Sequence, residues 1–355
     1  MYKQKNFQNI LVPILSVFLG LAIGAIIIAA IGADPFEAYQ SLLNGALGTP
    51  YGIGQTLRAM TPLIFTALGF SVAFKAGFFN IGLPGQALIG WLSSVWTALA
   101  FPNLPQFILL PLCIFVGALA GAIWAGIAGI LKAYFNSSEV IVTIMLNYVI
   151  LYVSDFLIRN VLTNPSADKT AKIPDAASLK IPFLTEMTKN SSIHAGIFLA
   201  LLAAIIIHIM LKRTTMGLEL RAVGQNPFAA EYAGMNAKKN IIRSMFISGI
   251  LAGLAGVMEG LGQFQNIYSQ NGISLAIGFT GMAVSLLALN HPLGIILSAF
   301  LYGIFEAGSI KMSQATDLPP ELVRVITSTI IFFVGANYII RFVIEKVKFA
   351  KKEAQ

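Results

Sequence analysis

KRTTMGLELRAVGQNPFAAEYAGMNAKKNIIR, residues 212–243, is a polar run set between two apolar segments, and the rest of the chain reads outward from it. It carries Lys212, Arg213, Arg221, Lys238, Lys239 and Arg243 against Glu219 and Glu231. Inside it lies the punctuation of a short helix over 226–234. Asn226 supplies a capping side chain, Pro227 suits the first helical position because its missing N–H costs nothing there, and Gly234 accepts the left-handed conformation that ends a helix. Between them, Phe228, Ala229, Ala230, Glu231, Tyr232 and Ala233 make a small helix with exposed apolar side chains. A basic loop of this kind between membrane spans suits docking to a soluble partner on the cytoplasmic side. The competing reading is an interfacial helix held by lipid headgroups, and spacing does not separate the two.

The flanking composition supplies the membrane. Of 355 residues, 57% are hydrophobic and 11% charged, with a mean hydropathy of +0.79, whereas soluble domains carry about a quarter charged residues. This indicates an all-α polytopic membrane protein. The net charge of +8 is no sign of a nucleic-acid partner, because Lys and Arg gather at the expected cytoplasmic loops and in the tail at Lys346, Lys348, Lys351 and Lys352. The lone Cys113 sits in an apolar run as a packed thiol.

Spans are expected over about 11–31, 53–74, a stretch ending near 101, then 107–131, 140–158, 193–211, 245–264, 274–289, 293–310 and 322–344. The first, preceded by Lys3 and Lys5, is longer than a signal-peptide core and reads as an uncleaved span. Residues 35–47 read as an amphipathic interfacial segment. Ser137 or Ser138 caps the fifth span, and Glu139 favours its positive end. About ten spans place both termini and the loop 212–243 inside and the loop 159–192 outside; the eighth and ninth are short and glycine-interrupted, leaving the count open by one or two. The chain is then one transmembrane domain, 1–355, with no stretch large enough for a soluble core.

Chemical motifs are sparse. No GxxxxGK[ST] loop, HExxH, cysteine cluster or GxSxG elbow is present. His194, His208 and His291 are scattered at span ends, which favours packing roles over a metal site. Arg58, Asn147, Asp155, Glu259, Gln263, Glu306, Arg324 and Asn337 fall inside apolar spans, where facing lipid would be costly, so they should face the interior, a cavity or an interface. Arg58, Arg324 and Glu321 are expected to pair near the outer surface. Glu259 and Gln263 lie one turn apart, with Gly256 and Gly260 opening space beside them. Over 80–86, Gly82, Pro84 and Gly85 interrupt the helix, and irregular backbone at depth is tolerated where it meets protein or water. With Phe78, Phe79, Asn80 and Gln86 this stretch suits an uncharged, hydroxyl-rich or heterocyclic solute, or else it is a plain cytoplasmic turn. The similar NIGLPG at 80–85 and NHPLG at 290–294 hint at two related halves with broken helices along a transport pathway, placing Asn290 beside the others.

With these stretches in hand, the chain resembles the inner-membrane permease subunits of ATP-binding-cassette importers, within the branched-chain amino acid, ribose and nucleoside permease superfamily. The resemblance rests on FKAGFFNIGLPGQALIG at 74–90, SSEVIVTIMLNY at 137–148, GLELRAVGQNPFAAEYAGMN at 217–236, SGILAGLAGVMEGLG at 248–262 and GFTGMAVSLLALNHPLGI at 278–295. EVIVTIMLN and GFTGMAVSLL lean towards the nucleoside and simple-sugar branch. Relatives often carry glutamate where this chain has Pro84, so no role needing a carboxylate there transfers. The resemblance implies that 217–236 holds the helix coupling the permease to an ATPase subunit, coinciding with 226–234. It also implies a second permease subunit, identical or paralogous, ATPase subunits that hold ATP and magnesium, an extracytoplasmic solute-binding protein or lipoprotein docking on the outer loops, and a place in the bacterial cytoplasmic membrane. No cofactor is expected on this chain.

The expected function is the transport subunit of a nucleoside importer, without an ATPase site of its own. Arg221, Asn226, Pro227, Phe228, Glu231, Tyr232 and Gly234 would serve coupling, and Phe79, Asn80, Gln86, Asn147, Glu259, Gln263 and Asn290 would line the pathway. A ribose-type permease is the alternative cargo reading. An ion-driven carrier would need an ion site at Asp155, Glu259 or Glu306 and has no use for the basic loop. An intramembrane enzyme lacks a nucleophile–base pair or metal cluster.

Overall fold

A computed structural model describes residues 2–163, 167–317 and 319–335. The far half of the expected tenth span, Asn337 and the tail lysines lie outside the described residues, as do the side chains of Glu321 and Arg324. Regular structure among the described residues is helical, apart from one isolated bridge between Lys169 and Tyr268. The helices are α1 (Tyr2–Ala30), α2 (Pro35–Leu47), α3 (Pro50–Lys75), α4 (Leu83–Ala100), α5 (Gln106–Phe135), α6 (Glu139–Leu157), α7 (Pro182–Met187) and α8 (Gly196–Arg213). They continue with α9 (Thr215–Gln225), α10 (Pro227–Tyr232), α11 (Ala237–Val257), α12 (Ala276–Leu287), α13 (Pro292–Thr316) and α14 (Pro320–Gly335). Two π-helical stretches, Ile158–Leu162 and Met258–Phe264, prolong α6 and α11.

Six of these are long and apolar enough to cross a membrane: α3, α5, α6 and α11 with their π stretches, α8 and α13. From Leu15 onward, α1 and α2 form a pair bent by 120°, and Asp34 caps the second helix by accepting from Phe36 N–H at 2.8 Å. The expected interfacial segment 35–47 is therefore a packed helix. It buries Ala38, Leu42 and Ala46, and α13 is its main neighbour. The expected eighth span is also altered. α12 has 12 residues, about 18 Å of helix against a hydrocarbon core of about 30 Å.

The bundle is organised around α3, which is buried along most of its length by α11, α13 and α12. Ser138 caps α6, and the Glu139 carboxylate beside it pairs with Lys132 at 3.1 Å. Helix association in lipid depends on close backbone contact between small residues, and α11 meets α5 and α4 that way. Gly256 and Gly260 do not open the space expected beside Glu259. A Cβ on Gly256 would collide with the Ala87 carbonyl oxygen of α4, and one on Gly260 would lie 2.6 Å from Trp91 Cδ1. On the far side of the bundle, the loop that follows α6 is pinned to the strand-like segment after the second π stretch. Thr170 N–H donates to Ile267 O at 2.8 Å, Ile173 N–H to Gln265 O at 2.8 Å and Leu179 N–H to Leu261 O at 3.0 Å.

Gly256→Ala should therefore force α11 and α4 apart and lower stability by about 1–3 kcal/mol, read as a fall in the thermal midpoint of the detergent-solubilised protein. Gly294→Ala, whose Cβ would meet its nearest neighbour at 3.5 Å, should leave the midpoint unchanged or slightly raised.

Candidate functional site

At one end of the bundle, α9 and α10 form a projecting elbow. Thr214 opens α9 by accepting from Gly217 N–H at 3.1 Å, and Asn226 opens α10 by accepting from Ala229 N–H at 3.1 Å, with Pro227 in the first turn. Gly234 closes it at φ +82, where L side chains are strained. Ala230 turns inward onto Val223 and Ala237. Phe228 and Tyr232, one turn apart and so on one face, are 75% and 96% exposed, and Glu231 is exposed beside them. Arg221 is exposed and donates Nε–H to its own helix at Gly217 O, 3.2 Å. α9 abuts the end of α3 so closely that a Cβ on Gly224 would strike the Lys75 carbonyl oxygen. Glu219 ties the elbow to α11 by accepting from Asn240 Nδ2 at 2.9 Å.

The break between α3 and α4 is local and tightly bonded. Irregular backbone runs from Ala76 to Gly82, while Pro84, Gly85 and Gln86 already belong to the first turn of α4, where a proline interrupts nothing. Asn80 Nδ2 donates to Gln86 Oε1 at 3.0 Å and to Ser248 Oγ at 2.9 Å, and Asn80 Oδ1 accepts from Gly82 N–H at 2.9 Å. Asn147 of α6 accepts from Gly85 N–H and donates to Ile81 O, both at 2.9 Å. The second break is built likewise. Asn290, at φ +56, takes Ser285 Oγ–H on its side chain and Ser71 Oγ–H on its carbonyl, each at 2.9 Å. Phe79 packs edge-on to Phe70 at 5.2 Å between ring centres. Asn80 and Gln86 thus bond each other, Asn147 bonds the backbone beside them, and Asn290 belongs to the second break; among the described residues no hydrogen bond links them to Glu259 or Gln263.

The cavity lies at the opposite end. It encloses about 500 Å³ and is lined by Gln55, Arg58, Ser192, Gln263, Glu306 and Gln314 among others. The start of α3, the second half of α13 and the π stretch after α11 position these side chains. Arg58 Nη2 pairs with Glu306 Oε1 at 3.4 Å across 248 residues of sequence; the expected pairing with Glu321 and Arg324 falls on side chains outside the described residues. Glu259, 7% exposed, interacts electrostatically with both. Of the expected pathway residues, Gln263 alone lines this cavity. Gln55 and Gln314 carried no sequence signal, because polar residues are ordinary near span ends.

Beside the cavity, His194 is buried and accepts from Gly196 N–H at 3.2 Å. Burial, then the charges of Arg58 and Lys180, push its pKa down from 6.5 to about 4. The fold also brings His208 and His291, distant in sequence, to 5.2 Å between ring centres. No group of three metal-ligating side chains occurs among the described residues.

Apolar helices around a polar cavity, with an elbow set in a basic loop at the other end, define a multi-pass membrane protein built for passage of a solute. The chain belongs to the family described as branched-chain amino acid transport system / permease component, which matches residues 52–335. It is 44% identical to the nucleoside ABC transporter permease protein NupB of Lactococcus lactis subsp. cremoris, covering 97% of this chain and 95% of that one. It is 46% identical to the guanosine ABC transporter permease protein NupP of Bacillus subtilis, covering 97% and 98%. Identity to the glucose ABC transporter permease protein TsgB13 of Haloferax volcanii is 29%, covering 90% and 86%. No solved structure matches.

Two outcomes follow from this geometry. Asn147→Leu strands the Gly85 amide and the Ile81 carbonyl, and should cost about 1–3 kcal/mol of stability in a thermal melt. For His194, an unfolded chain binds a proton near pH 6.5 that the folded chain refuses until about pH 4. The stability present above pH 6.5 is therefore lost as pH falls, by about 1.4 kcal/mol at pH 5.5. His194→Gln should flatten the melting midpoint between pH 7 and pH 5; an unchanged slope would remove His194 as the cause.

Proposed function

We propose that this chain is the membrane-spanning subunit of an ATP-binding-cassette importer that moves nucleosides across the bacterial cytoplasmic membrane. The observation that carries the reading is near full-length identity of 44% and 46% to a nucleoside and a guanosine permease. The weaker likeness to a glucose permease makes simple sugars the second reading.

In this proposal the chain is one transmembrane domain of about ten crossings, with both termini and the loop 212–243 on the cytoplasmic side. The bent α1–α2 unit, α4, α12 with its extended lead-in and α14 supplement the six long helices. A second permease subunit, identical or paralogous, completes the path. ATP and magnesium sit on partner ATPase subunits, and this chain binds no cofactor. A solute-binding protein or lipoprotein docks outside, on the loop 159–192 among others.

The elbow supplies a physical route for coupling. Phe228 and Tyr232 enter a cleft of the ATPase, with Arg221 and Glu231 as rim contacts. Asn226, Pro227 and Gly234 hold the helix in shape. Because α9 abuts the end of α3, displacement of the elbow presses on the helix whose other end carries Gln55 and Arg58. Alternating access is then a rocking of α3 and its neighbours against the partner permease.

Proteoliposomes holding this chain with its permease, ATPase and binding-protein partners test the reading with labelled nucleosides and ribose. ATP-dependent nucleoside uptake is the expected result. Ribose uptake alone would move the cargo to sugars, and uptake without the ATPase, driven by an imposed ion gradient, would overturn the importer reading. Phe228→Asp should cut ATP-driven uptake more than about tenfold while leaving membrane insertion and the thermal midpoint unchanged. Full activity of that variant would remove α10 from the coupling path.

A further inference from the structure

The cavity at the far end of α3 has more hydrogen-bonding capacity than its own residues consume. A guanidinium carries five N–H donors, and Arg58 spends one of them, on Glu306. Its Nε–H is buried with no partner among the described residues. At 3.4 Å the ion pair is longer than a well-made charge-assisted bond, and the Glu306 side chain, 53% exposed, keeps acceptor sites open to the cavity. Gln55, Gln263 and Gln314 add amides and Ser192 a hydroxyl, and an amide both donates and accepts. Buried donors left unmatched are costly and rare in native proteins.

Charge narrows what could fill the space. On the wall Arg58 already has Glu306 as its counter-charge, and Lys311 is exposed. A neutral solute dense in donors and acceptors finds partners there while Arg58 and Glu306 keep each other as counter-charges. A volume of about 500 Å³ falls in the range of about 300–1,000 Å³ usual for small-molecule sites.

We infer that this cavity is a nucleoside-binding site of the permease, in which Arg58 and Glu306 together hold the edge of the nucleobase. The guanidinium donates to a ring carbonyl or ring nitrogen, and the Glu306 carboxylate accepts from the neighbouring ring N–H or amino group. Every nucleobase presents such a donor next to an acceptor on its edge, so the pair reads the base as a class. Gln55, Gln263, Gln314 and Ser192 take the sugar hydroxyls. The inference rests on the nucleoside reading above and adds where, and by which atoms, the permease itself recognises its cargo.

Equilibrium dialysis on the reconstituted permease–ATPase complex, without the binding protein, tests it with labelled uridine and inosine against N3-methyluridine and N1-methylinosine, which lack the ring N–H. Wild type should bind the parent nucleosides and bind the methylated ones about ten- to a hundredfold more weakly. Glu306→Gln should raise the Kd of the parents by a similar factor and leave that of the methylated compounds where it was. A Glu306→Gln variant that weakens parent and methylated compounds alike, with a lowered melting midpoint, would mean that the pair only braces α3 against α13, and would overturn the inference. Gln55→Leu and Gln263→Leu keep the ion pair and guard against misfolding; an unchanged nucleoside Kd in both folded variants would equally overturn it. Absence of wild-type binding alongside normal ATP-driven nucleoside uptake would sink this site and leave the importer reading standing. Absence of uptake as well would sink both.

Discussion

Backbone amides and carbonyls inside a lipid bilayer have no water to turn to, and this one constraint shapes the whole chain. A continuous helix satisfies it without help. A helix that stops inside the bundle does not, and this chain has two such stops, between α3 and α4 and between α12 and α13. Each is sealed by short polar side chains reaching from a neighbouring helix: Asn147 onto the amide of Gly85 and the carbonyl of Ile81, and Ser71 onto the carbonyl of Asn290. The price of breaking a helix is thus met by asparagine and serine side chains.

That accounting redistributes function along the bundle. The polar groups at the breaks hold the backbone there through these bonds. Spare capacity lies at the other end, where Arg58 has an unpartnered Nε–H and the Glu259 carboxylate makes no hydrogen bond among the described residues. The elbow of α9 and α10 and the cavity mark the two ends of α3. A helix of 26 residues with Pro62 inside it joins them, about 39 Å from end to end.

Local features were legible in the chain wherever their causes act over a few residues. The α10 helix starts at Pro227 behind the Asn226 cap and is closed by Gly234 because capping, a fixed proline φ and a left-handed glycine are decided within one turn. The cap of α6 at Ser138 is of the same kind. Span boundaries for the long helices followed from apolar runs. The glycine pair Gly256 and Gly260 misled, since a missing side chain reads identically whether it leaves a void or admits another helix. Here α4 enters the gap. In the segment 35–47 the amphipathic pattern is the face that packs on α13.

By itself the sequence determined that this chain is a membrane-embedded helical protein with a capped helix in a basic loop between its spans, because hydropathy and capping are properties of contiguous residues. Only the tertiary structure decided which polar groups share a space. Arg58 and Glu306 stand 248 positions apart, as His208 and His291 stand far apart before their rings meet. Nothing in either neighbourhood announces the other. A cavity is made of residues brought from separate helices, and its chemistry exists once packing has chosen which of them face one another.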